Sequence, residues 1–70
     1  MHDLKEYQAA LQKDGKFDTY DSAPIFADTD DNAIHKAKQW TSSIVGRPDD
    51  AWLVVAINGR GIATLRPGEF

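Results

Sequence analysis

The segment Trp52-Leu53-Val54-Val55-Ala56-Ile57 constrains this chain more than any other. Its β-branched and aromatic residues suit the pleated surface of a strand. Asn58-Gly59 follows directly, and both residues accept the positive φ of a type I′ hairpin turn. Ile62-Ala63-Thr64-Leu65 then returns as a partner strand. Gly61 leaves room for a wider turn or a bulge. Asp49-Asp50 and Pro67-Gly68 act as turn signals around the hairpin, which is placed at 51–66. A strand with one wet face alternates apolar and polar residues. Here both alternating sets are apolar, with Trp52, Val54 and Ala56 on one face and Leu53, Val55 and Ile57 on the other. A sheet built around this strand must be covered twice, or it keeps an exposed apolar patch.

The sequence supplies one cover. Ala33, Ile34, Ala37, Trp40, Thr41, Ile44 and Val45 recur at three- and four-residue spacing, the mark of one apolar stripe on a helix. His35, Lys36, Lys38, Gln39 and Ser43 fall largely on the other side. Asp28, Thr29 and Asp30 are candidate caps, and acids at this end favour the positive pole of the helix. Gly46 is a natural C′ residue and Pro48 cannot continue the helix, so the helix is placed at about 29–45.

The first 27 residues admit two readings. Asp3 followed by Glu6 resembles a capping box, and Leu4, Tyr7 and Leu11 have helical spacing. Against this, Tyr7, Ala9 and Leu11 alternate with Gln8 and Gln12 at strand period. Asp14-Gly15 suits a turn, and Ile25-Phe26-Ala27 forms a short strand that runs into the helix cap. A hairpin alone is too little sheet for a stable domain, which selects strand for residues 4–13. The expected fold is α+β: ββαββ, a small antiparallel sheet covered on one face by a single helix, with residues 1–70 as one domain.

The passage Ile25-Phe26-Ala27-Asp28-Thr29-Asp30-Asp31-Asn32-Ala33-Ile34, followed by Ala37 and Trp40, resembles the strand-to-helix junction of small uncharacterised bacterial ββαββ domains. The block 52–57, Asn58-Gly59-Arg60-Gly61 and 62–65 resembles their closing hairpin. The resemblance spans about residues 5–66 and implies a fold rather than a chemistry. A hairpin-then-helix opening is also shared with HicB-like antitoxin domains, although their Pro-Asp-Leu-Pro-Gly-type turn does not occur in this sequence.

Size sharpens the problem of the second face. A chain of 70 residues and 7.8 kDa holds one domain. A domain this small buries only about 60% of its unfolded surface. Small scaffolds usually add disulfides, metals or a partner. With no cysteine, disulfides and Cys-based zinc sites are excluded. No apolar run reaches the length of a membrane span, and Met-His-Asp-Leu-Lys-Glu lacks a signal-peptide layout, so a cytoplasmic protein is expected. Residues 1–35 hold three Lys against eight acids, and residues 36–70 hold five basic residues against three acids. This mixed surface is also compatible with an acidic end that meets a basic end, its own or a partner's.

Candidate sites weigh little. In an EF-hand register from Asp28, ligands fall on Asp28, Asp30 and Asn32, but Ala33 replaces the turn glycine and Gln39 the bidentate glutamate. His2 and His35 are the only imidazoles, without metal-ligand spacing. Ser22, Ser42 and Ser43 lack a nucleophile-elbow context. Asn58-Gly59-Arg60-Gly61 lacks the layout of a phosphate-binding loop. The net charge of −3 and sparse interleaving of aromatics with basic residues argue against nucleic acid. No cofactor, metal or catalytic residue is expected. The expected role is a non-catalytic interaction module, with Trp52, Leu53, Val54, Val55, Ile57 and Trp40 as interface candidates. The partner is a second copy or another small protein. An antitoxin-like partner-binding domain and a minimal nucleic-acid binder are the alternatives.

Overall fold

The computed structural model describes residues 3–13, 19–46 and 49–70. The elements run β1 (Lys5–Lys13), β2 (Thr19–Ala27), α1 (Asp30–Ser42), β3 (Ala51–Ile57) and β4 (Arg60–Leu65). All strand pairs are antiparallel, and the order across the sheet is β2-β1-β3-β4. Residues 5–13 are therefore strand, as global consistency demanded over local helical spacing. The turn expected at Asp14-Gly15 lies outside the described residues.

Strand β2 is nine residues long, whereas the sequence marks only Ile25-Phe26-Ala27 as strand. Asp21, Ser22 and Pro24 conceal it, because such residues are depleted in strands. They are tolerated here because β2 is an edge strand, with neighbours on one side only. Hydrogen bonding alternates along antiparallel pairs, and a two-residue turn makes its flanking residues a bonded pair. Asn58 and Gly59 form that turn at φ 52 and 76, so Ile57 and Arg60 are bonded to each other. Carried across the registers, this alternation turns the backbone groups of Ser22, Pro24 and Phe26 outward. Pro24, which has no N–H, thus occupies a position where none is required.

A register shift between Val55 and Ala56 places an extra residue, Ile62, in β4. Bulges re-aim side chains, and Ile62 packs against the core together with its neighbour Ala63. Gly61 thus accompanies both a tight turn and a bulge.

The core lies between the helix and one face of the sheet. Tyr7, Leu11, Ile25, Leu53 and Val55 supply its bulk, and Ala9, Ala27, Ala33, Ala37 and Ala51 complete it. The helix contributes only small side chains at its most buried positions, Ala33, Ala37 and Thr41, which lets its axis approach the sheet. The buried Thr41 hydroxyl is satisfied by donating to the Lys38 carbonyl at 2.7 Å.

The helix is shorter at both ends than the expected 29–45. Thr29 has extended backbone and serves as N-cap, its Oγ1 accepting from the Asn32 N–H at 3.2 Å. At the other end, Ser43 and Ile44 donate to the carbonyls of Trp40 and Thr41 in a closing turn. Ile44 still packs on the core, whereas Val45 is 96% exposed, so the apolar stripe outlasts the helix by two residues. Gly46 adopts φ 76 beyond the helix rather than capping it. Pro48, the expected stop, lies outside the described residues. No described helix is long and apolar enough to cross a membrane.

Candidate functional site

Strand registers divide the side chains of the sheet between two faces. On the helix side stand Tyr7, Ala9, Leu11, Ile25, Ala27, Leu53, Val55 and Leu65. On the opposite side Ala10 pairs with Ser22 and Val54, Gln8 with Pro24 and Ala56, and Gln12 with Trp52. Glu6 and Phe26 pair at the end of the β1–β2 ladder, and Thr64 lies beside Val54. Among the described residues, no element packs on this second face. The chain measures only 17 Å along its shortest axis, which accommodates one helix layer and one sheet layer.

This open face carries an apolar row. Ala10, Trp52, Val54 and Ala56 are each half-buried. Phe26 on the outer strand is 48% exposed. The apolar row runs along β3 with Ala10 beside it, while the rest of the open side of β1 is polar (Glu6, Gln8, Gln12) and Ser22 and Thr64 lie on the outer strands. Gln8 donates to the Glu6 carboxylate at 3.2 Å, and both side an open depression that runs to Ile57 and the Asn58-Gly59 turn.

The six interface candidates therefore separate. Trp52 and Val54 lie on the open face. Leu53 and Val55 are fully buried under the helix, so their place among the interface candidates is corrected: the chain's own helix already covers them. Trp40 and Ile57 are half-buried and pack against that same core, away from Trp52. Both faces of β3 are apolar in sequence, and the sequence alone does not say which of them the helix takes. Ala10 and Phe26 join the open face through registers that only the assembled sheet provides.

The cap residues engage one another and the sheet. Asp28 accepts from the Asn32 side-chain amide at 2.6 Å, and Thr29 holds the Asn32 backbone N–H. Asp30 accepts a 2.7 Å hydrogen bond from the Tyr7 hydroxyl, joining the first helical turn to β1. This bond raises the Tyr7 pKa, with burial and the Asp30 and Asp28 charges adding in the same direction. Two of the three positions considered for calcium, Asp28 and Asn32, thus bond to each other. Among the described residues, no group of three or more His, Cys, Asp or Glu is placed to hold a metal. His35 lies on the exposed side of the helix, 3.3 Å from Gln39, and His2 lies outside the described residues.

Both outer edges of the sheet have their own arrangements. On β2, Ser22 donates its N–H to the Asp21 carboxylate at 2.8 Å, and the Phe26 carbonyl accepts from Lys36 Nζ at 2.6 Å. On β4, only Gly61 and Thr64 turn outward, and the bulge separates them. Just beyond, the Arg66 N–H donates to the Glu69 carboxylate at 3.3 Å.

No protein-family model matches this chain, and no curated protein or solved structure is significantly similar to it.

Proposed function

We propose that this chain is a small non-catalytic interaction module that associates with a second copy of itself through its sheet. One observation carries the reading: a four-stranded sheet with an apolar row on the side away from its only described helix. Trp52 is the natural anchor, since buried aromatics dominate binding energy at interfaces. Cytoplasmic residence belongs to the same proposal, and cell fractionation would check it.

The test is light scattering coupled to size exclusion at micromolar concentration. The expected mass is twice 7.8 kDa. A mass of 7.8 kDa at every concentration would refute self-association. Co-purification of a different small protein in its place would transfer the surface to the antitoxin-like alternative.

A further inference from the structure

A sheet can recruit another chain along an edge, through backbone hydrogen bonds, or across a face, through side chains. We propose that self-association uses the open face alone, two copies stacking sheet on sheet while the edges stay closed. This rests on the self-association reading and specifies its geometry.

The edges argue first. At Ser22, Pro24 and Phe26, outward positions of β2, one backbone group is taken or missing at each: Ser22 N–H is held by Asp21, Pro24 has no donor, and the Phe26 carbonyl is held by Lys36. An added strand would have to displace two hydrogen bonds and would meet a proline between them. On β4 the outward run is just Gly61 and Thr64, interrupted by the bulge, and the Arg66–Glu69 bond ends it. Bulges, prolines and short runs are the devices that stop edge pairing.

The face argues second. Four strands about 4.8 Å apart and about seven residues long at about 3.4 Å each give a face of about 450 Å². Two such faces in contact bury about 900–1,000 Å² in total, near the lower limit for a specific interface. The occupant must therefore cover the whole face, and a second identical sheet does so. Charge placement suits a two-fold pair as well. Glu6 stands on the inner strand β1 at one end of the open face, and Arg66 follows the last residue of β4 at the other end. A two-fold axis lying between the stacked sheets can bring each towards the other's opposite charge, so contact made once is made twice.

Three variants test this by sedimentation equilibrium across a concentration series, with circular dichroism and thermal melts to verify folding. Val54→Lys and Trp52→Glu each place a charge on the open face and are expected to weaken dimerisation by more than about tenfold. Two variants are used so that loss of folding in one leaves the other. Thr64→Pro removes an outward N–H of β4, where proline is tolerated, and is expected to leave the dimer intact. A dimer abolished by Thr64→Pro but indifferent to folded Val54→Lys and Trp52→Glu overturns the stacked geometry while self-association stands. A wild type that is monomeric throughout the series overturns both.

Discussion

At the scale of single residues, Tyr7 does the most varied work. Its ring fills the core, and its hydroxyl crosses from the sheet to the first turn of the helix. The hydrogen bond to Asp30 needs the phenol protonated, which is why the Tyr7 pKa lies above the ordinary 10.0. A group with a raised folded pKa stabilises the fold below its unfolded pKa, and that contribution is lost as pH rises through the higher folded value. Stability should therefore decline as the pH climbs above 10, partly through Tyr7. Tyr7→Phe should lower stability at neutral pH yet show a shallower alkaline decline, read from urea unfolding midpoints at successive pH values. Equal alkaline slopes in the two proteins would remove Tyr7 from this account. The sequence already marked Tyr7 as apolar-periodic and Asp30 as a cap candidate. It could not join them, because 23 residues separate them and their contact exists only once β1 lies beneath the helix.

At the scale of elements, legibility followed how far each element depends on its neighbours. The β3–β4 hairpin was legible because Asn58-Gly59 dictates a turn locally, and the positive φ values of both residues bear that out. The helix was legible from its stripe, but its end was overextended: Ile44 and Val45 continue the spacing after the backbone has already turned. Most of β2 was illegible, since Asp21, Ser22 and Pro24 make sense in a strand only if it is an outermost one. The candidate interface was legible as a residue set and illegible as a surface. Period-two alternation separates Trp52 and Val54 from Leu53 and Val55 but does not state which pair the helix will claim. The outermost strand yields an element-scale prediction. Removing the two side chains that hold its outward groups, in Asp21→Ala/Lys36→Ala, should leave the melting temperature within a few degrees, since exposed single contacts contribute about 0–1 kcal/mol. It should also raise edge-mediated aggregation at high concentration, measured by turbidity and thioflavin fluorescence. Unchanged solubility would show that Pro24 suffices alone.

At the scale of the whole molecule, the two-layer architecture is the ground on which the proposed association rests. One helix cannot cover two apolar faces, so the shortage of core that comes with 70 residues is concentrated on one side of one sheet. The strand order carries a further consequence, for the route by which the chain reaches this state. In the order β2-β1-β3-β4, the outer pairs β1–β2 and β3–β4 join neighbours in sequence. Only the β1–β3 seam joins distant segments, as in the pairings of Gln8 with Ala56 and Lys13 with Ala51. Hairpins close in microseconds, whereas distant pairing must first meet the entropy of a long loop. The seam is thus the natural bottleneck, with the helix as the connector that has to form for it to close. Val55 pairs with Ala9 across it, so Val55→Ala should cost about 2 kcal/mol. Much of that loss should appear as several-fold slower folding in stopped-flow kinetics. Equally stable folding limbs, with the loss confined to unfolding, would place the seam after the barrier. A sheet whose outer pairs are local and whose long-range strand pairing is central concentrates its slow step in folding at β3, the strand from which both faces of the sheet are built.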